Sequence, residues 1–152
     1  MLYKQVNPNQ ELVAYVARIV EALLRNLAFS MRQALEKAGE ESIRDLRVNC
    51  LRLRHALRLF ARAFPAKPAR KIERRITVLR DLVAAVYACD MALQSLRTNP
   101  VASAVSARQG KRVAAELGAE RRRSLRPLRV RLRKMHRSDA LRRWRNRLIP
   151  AA

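Results

Sequence analysis

Apolar residues recur along most of this chain at steps of three and four, the spacing of helices that each bury one face. Leu12, Val16, Val20, Leu23, Leu27, Met31 and Leu35 make a first stripe, with Ala34 beside its end. It predicts a helix that begins after Asn7-Pro8-Asn9, where Asn7 can cap and Pro8 fits the first turn, and that stops near Gly39. Glu40-Glu41-Ser42 opens a second helix, its acids at the positive end of the dipole. Its seam is Leu46, Cys50, Leu53, Leu57, Phe60 and Phe64, and Pro65-Ala66-Lys67-Pro68 forces a short link. The third helix is predicted from about Ala69 to Arg97, with Ile72, Ile76, Leu79, Val83, Val86, Asp90 and Leu93 in its seam. Thr98-Asn99-Pro100 is a stop and restart, with Asn99 as a cap. A fourth helix follows from Val101 to about His136, weakened at Gly110 and Gly118 and expected to kink or break at Pro127. Ser138-Asp139 is read as the cap of a last short helix, Ala140 to Leu148, anchored by Trp144. No segment alternates as a strand does. The prediction is an all-α, up-down four-helix bundle of long helices with a short C-terminal fifth, one domain over residues 1–152.

Charge changes the picture. The chain carries 34 Lys and Arg against 12 Asp and Glu, a net +22, yet 49% of it is apolar, so the charge does not signal disorder. Self-repulsion of this size is relieved by a polyanionic partner. Most of the bases are arginine, whose planar fork grips phosphate oxygens bidentately and keeps its charge. A GC-rich genome also favours Arg over Lys, but it does not account for the shortage of acids. Met1 to Gln10 has no charged-then-apolar secretion signal, and no apolar run approaches the length of a transmembrane helix. A cytoplasmic protein is therefore expected. Cys50 and Cys89 would lie at different heights of a helical hairpin, by roughly 9 Å at 1.5 Å per residue, and are read as free buried thiols.

The arginines are arranged. On helix two, Arg44, Arg47, Arg54, Arg58 and Arg62 fall within an arc of about 80°, with His55 beside them and Arg52 off the arc. That arc lies beside the apolar seam, as the lining of a cleft edge would, and no acid stands between Leu46 and Phe64 to neutralise it. On helix four, Arg122, Arg126, Arg129, Arg133 and Arg137 recur at steps of four, three, four and four beside an apolar stripe of Leu125, Leu128, Leu132 and Met135. The bland alternative is a solvated face, but such helices usually interleave acids. Asp90 holds a slot that the seam reserves for an apolar residue. Buried, it needs an arginine, with helix two as the expected source; the alternative is a register shift that turns it outward and puts Met91 or Tyr87 in the core.

Catalytic constellations are missing from the pattern. There is no Gly-rich phosphate loop, nucleophile elbow or paired carboxylate, and His55 and His136 stand apart amid arginines, without metal-ligand spacing. His55 is either a neutral donor or acceptor at a site or incidental. No cofactor, metal or catalytic residue is expected. Nucleic acid is an obvious partner for such charge, but aromatics are 5% of residues and no base-reading motif is present.

Helix two also resembles the signature of the CHAD family, the conserved histidine α-helical domain. That signature opens V-H-x-x-R-V, continues with arginines at helical spacing and closes on an aromatic. Ile43-Arg44-Asp45-Leu46-Arg47-Val48 stands at the opening, Arg52, Arg54 and Arg58 follow, and Leu59-Phe60 closes. Tyr87-Ala88-Cys89-Asp90-Met91 stands where the family has R-D-x-D-V, so only Asp90 matches, and an Arg80-Asp81 pair lies seven residues earlier. Leu117 to Arg123 and Ser138 to Leu148 resemble later helices loosely. Arg44 replaces the signature histidine with a cation that cannot lose its proton. The resemblance implies a non-enzymatic protein that binds inorganic polyphosphate and associates with polyphosphate granules. Its binding residues would be Arg44, Arg47, Arg52, Arg54, His55 and Arg58 with Arg122, Arg126, Arg129 and Arg133, and Asp90 would make a structural ion pair. A full CHAD domain resembles two such four-helix units related by pseudo-symmetry. This chain supplies one, so a homodimer is expected to rebuild the pair. The E-x-E-x-K strand motif of the CYTH-type triphosphatases fused to some members is absent. The alternative is a sequence-nonspecific nucleic-acid-binding accessory protein.

Overall fold

The computed structural model describes residues 8–98 and 107–149. They form α1 (Pro8–Glu36), α2 (Glu40–Leu59), α3 (Ala66–Thr98), α4 (Ala107–Arg137) and α5 (Ala140–Leu148), with one 3-10 turn at Ala61–Ala63. No strand occurs among the described residues. The caps expected at Asn7 and Asn99, and the start of helix four at Val101, lie outside the described residues.

The hydrophobic seams meet in one core. Leu46, Cys50, Leu53 and Leu57 of α2 face Ile72, Ile76, Leu79, Val83 and Val86 of α3, with Val16, Val20, Leu27 and Met31 of α1 and Leu125, Leu128 and Leu132 of α4. Leu24 is buried, with the expected Leu23 half-buried beside it against the core, but Leu12, in the second turn of α1, is 53% exposed. The core begins at Val16, one turn further in.

Neighbours in sequence are neighbours in space: α1 packs on α2, α2 on α3 and α3 on α4, as short links between antiparallel helices require. Arg121 of α4 reaches the Ala38 carbonyl in the α1–α2 link, so α4 meets the bundle partway along its own length. Beyond that level the last turns of α3 and the first of α4 pair with each other, around Leu93, Leu96, Gly110 and Ala114. Below it α4 ends at Arg137, and α5 carries the fourth column onward against α1 and α3. Trp144 fills the space there at 1% exposure, the anchor expected of it. The fifth helix is thus the lower half of the fourth column.

Three boundaries differ from those expected. α2 ends at Leu59; the chain to Pro65 closes as a 3-10 turn and an extended Phe64. α3 begins at Ala66, earlier than Ala69, because Pro68 falls in its first turn, where no backbone N–H is needed. α4 runs unbroken through Pro127. Pro127 and Arg123, whose carbonyl loses its helical donor, are both exposed, where solvent can replace the lost bond. Asp139 does not cap α5 with its side chain. It adopts the left-handed conformation at φ 50° and makes the joint that lets α5 follow α4.

Asp90 is buried at 5% exposure and takes its arginine from α4 rather than α2. Arg121 Nε donates to Asp90 Oδ1 at 2.5 Å, and Nη2 donates to the Ala38 carbonyl at 2.7 Å. The α2 arginines face elsewhere: Arg52, the one off the main arc and so the candidate for Asp90, lines a groove against α1 with Arg44, and Arg47 lies over Tyr87. Arg121 shares the inner face of α4 with Leu125, Leu128 and Leu132.

Cys50 and Cys89 are free and buried, as expected. Burial pushes the Cys50 thiol up to about 12, Arg80 pulling weakly the other way. Burial also raises Cys89, helped by Glu120 and Asp90.

Two outcomes follow. Asp90→Ala is expected to destabilise the fold by about 2–3 kcal/mol, below the full cost of breaking a buried pair because Arg121 keeps 20% exposure. Denaturant unfolding checks this, and Arg62→Ala, remote and exposed, should stay within about 0.5 kcal/mol. Below pH 9 the Cys50 thiol is protonated in both the folded and the unfolded chain. Between 9 and about 12 only the unfolded chain releases the proton, so stability falls with pH by up to about 1.4 kcal/mol per unit. Cys50→Ala should flatten that alkaline slope in pH-dependent unfolding curves.

Candidate functional site

The chemistry on offer is guanidinium. With 34 bases and 12 acids, at least 22 bases remain without an acid even if every acid takes one. Where the acids sit decides which arginines are free.

The α2 arginines divide into two groups. Arg47, Arg54 and Arg58 lean toward α3. Arg47 lies over the Tyr87 ring, 4.6 Å from its centroid. Glu73, in the second turn of α3, pairs with Arg58 and stands 4.0 Å from Arg54. Arg54 is only 17% exposed, and its Nε is buried without an acceptor among the described residues. This group sits at the cleft edge that the helical arc implied, but it is not acid-free: the acid comes from the neighbouring helix. Arg44 and Arg52 turn the other way and line a groove against α1. His55 is exposed on the outer face.

On α4, Arg122, Arg126, Arg129 and Arg133 are all exposed, and none pairs with a carboxylate among the described residues. The acids on this helix serve other arginines: Glu120 pairs with Arg123 at 2.6 Å and Glu116 with Arg112 at 3.7 Å. The stripe is therefore a row of free guanidinium groups. α2 and α4 each pack on α3 and α1, diagonally across the bundle, so the structure does not bring the two predicted sets into one pocket.

A third basic surface escaped the sequence reading. Arg25 and Arg32 of α1 line the groove that α4 and α5 close, with Arg142, Arg145, His136 and the acid Asp139 on the opposite wall. Glu21 holds Arg145 at 2.7 Å, leaving Arg25 and Arg32 without a carboxylate partner among the described residues. The signal was available, since Arg18, Arg25 and Arg32 repeat every seven residues, two helical turns. Among the described residues no group of three or more His, Cys, Asp and Glu is placed to hold a metal ion. No described helix is long and apolar enough to cross a membrane.

Four of the twelve carboxylates, Glu21, Glu40, Glu73 and Asp90, join one helix to another, and the arginine rows stay exposed outside them. The CHAD-domain family model matches residues 14–152, nearly the whole chain, and the chain belongs to that family. No curated protein and no solved structure matches it.

Glu73→Gln should free Arg54 and Arg58. Binding to duplex DNA, a generic polyanion, is expected to tighten. The slope of log K against log salt should steepen by about 0.9 for each phosphate newly contacted. Salt-dependent fluorescence anisotropy measures both.

Proposed function

We propose that this chain is a non-enzymatic binder of inorganic polyphosphate, held by multivalent Arg–phosphate pairs and located in the cytoplasm at polyphosphate granules. The observation that carries this reading is the α4 stripe. Arg122, Arg126, Arg129 and Arg133 are exposed, on one face, and unmatched by acids among the described residues. Successive members are three or four residues apart, about 5–6 Å along the axis, so one linear polyanion meets several of them together. The free α2 arginines, Arg44 and Arg52, and the α1 pair, Arg25 and Arg32, are secondary contacts on other faces, where a long chain wraps. Arg47, Arg54 and Arg58 contribute only as far as a ligand displaces Tyr87 and Glu73. Membership of the CHAD family supports polyphosphate as the polyanion. A second copy would supply the other half of a two-unit arrangement, with the two copies bridged by the ligand.

Nucleic acid is the competing ligand for the same row. The α4 residues grip phosphate and offer no means of reading bases. Titration with long-chain polyphosphate, and with single- and double-stranded nucleic acid of equal phosphate content, separates the two at physiological salt. Polyphosphate is expected to bind at least about ten-fold more tightly. Arg126→Ala/Arg129→Ala/Arg133→Ala should weaken it by about ten-fold or more and flatten its salt dependence, with the helical circular dichroism unchanged. Equal binding of all three polymers, or indifference to the triple change, would sink the reading. Light scattering that finds a monomer with and without polyphosphate would remove the dimer.

A further inference from the structure

Of the three phenylalanines, Phe64 is buried and Phe60 half-buried, but Phe29 is 57% exposed. It projects from α1 over a groove of ≈ 340 Å³ against α2, within the size range of small-molecule sites. The opposite wall carries Arg44, Asp45, Asn49 and Arg52, and Gln33 stands one turn beyond Phe29. Arg44 and Arg52 are eight residues apart, about 12 Å along the helix. Neither has a carboxylate partner among the described residues. Asn49 donates its Nδ2 to the Asn26 carbonyl at 3.4 Å, which fixes the amide and leaves its oxygen to accept.

A bare phosphate chain, which offers acceptors and no donors, engages the arginines of this lining and leaves the rest of it unused. The Asp45 carboxylate repels such a chain, and the Asn49 and Gln33 amide oxygens have nothing to accept from it. An exposed aromatic face also contributes little to an inorganic ion. A ligand with a flat ring, hydroxyl or amine donors and phosphates satisfies all of these groups. We propose that the groove binds a nucleoside polyphosphate. Its base stacks on Phe29, and its ribose hydroxyls and base edge meet Asp45, Gln33 and Asn49. Past Gln33 the groove continues along Lys37, Glu40, Glu41 and Asp45, with Glu40 paired to Arg97, so Glu41 and Asp45 against Lys37 leave that end net negative. The phosphates accordingly lie at the other end, on Arg52, with Arg44 against the base as a cation over a π-face. This site does not rest on the α4 stripe and stands apart from polyphosphate binding there.

Isothermal titration with ATP and with inorganic tripolyphosphate, without divalent metal, tests it on the full chain carrying Arg126→Ala/Arg129→Ala/Arg133→Ala, so that the α4 row does not compete for either ligand. ATP is expected to bind about five-fold or more tightly than tripolyphosphate, the low end of what one stacked base contributes. Phe29→Ala should erase that preference and leave tripolyphosphate binding unchanged; the ring is exposed, so the fold should persist, and circular dichroism checks it. Asp45→Asn should weaken ATP and strengthen tripolyphosphate, opposite signs that a general electrostatic effect does not produce. Arg52→Ala should weaken both. Tripolyphosphate binding as tightly as ATP, or a preference for ATP that survives Phe29→Ala, would overturn the proposal. Long-chain polyphosphate titrated into Phe29→Ala keeps the two sites distinct. Its binding should be unaffected there, whereas the α4 triple variant reports on the other reading alone.

Discussion

Arg121 holds the assembly together. Through one guanidinium it meets the Asp90 carboxylate of α3 and the Ala38 carbonyl of the α1–α2 link. Three parts of the chain thus meet at one charged group at the top of the core. The interaction also answers a problem of chain length. α4 crosses the end of the bundle partway along, and a purely apolar contact there would allow it to slide. A planar fork with two fixed acceptors has one register, and that register sets the height at which Leu125, Leu128 and Leu132 enter the core. The buried pair adds less to net stability than its Coulomb energy suggests, because both charges leave water. Its contribution is positional.

The same reasoning orders the other acids. Glu73 joins α2 to α3, Glu21 joins α1 to α5, and Glu40 meets Arg97 across the top of the bundle. These three and Asp90 are the carboxylates that join helices among the described residues; Asp81, Glu116 and Glu120 pair locally on the surface, and the α4 arginine row is left open. In a chain of +22 this has an energetic consequence. Like charges on the outer faces of α1 and α4 repel in the compact state, and the polyanion proposed above would remove that repulsion while adding its own contacts. Its binding would then raise fold stability, through mass action and through relief of that repulsion.

Much of this was legible in the sequence. Steps of three and four gave the seams of α2 and α3 almost residue by residue, because both helices are flanked by core on a narrow arc. Asp90 stood out as a charge in an apolar slot, and its need for an arginine followed from desolvation alone. Its partner did not follow, because a single helix's periodicity carries no information about the height at which the next helix passes. Helical phase would still have helped: Arg121 shares a face with Leu125, Leu128 and Leu132, whereas Arg122 next to it belongs to the free row. Glu73 was overlooked for a similar reason. Acids were sought within α2, and the neutralising one lay across the hairpin. The Leu23–Leu24 ambiguity is of another kind. Both residues border the core face, and tertiary contact with α5 selects between them in a way that no pattern within α1 encodes.

The division among the α2 arginines explains why arginine suits this helix better than lysine. Arg54 is mostly buried, and its Nε lacks an acceptor among the described residues. A lysine in such a place would bury a compact, strongly hydrated charge; a guanidinium is more weakly hydrated and spreads its charge over a plane that packs against its neighbours. Arg47 uses the same plane against Tyr87. One residue type thus serves as packing material on the α3 side and as an open cation on the α1 side of the same helix. Arg44, in the place of the signature histidine, belongs to the open set. A histidine there would lose its charge near neutral pH, and the groove it lines would then respond to pH. With arginine the groove's positive charge is fixed, and selectivity in the proposed site would fall to its ring, its amides and Asp45.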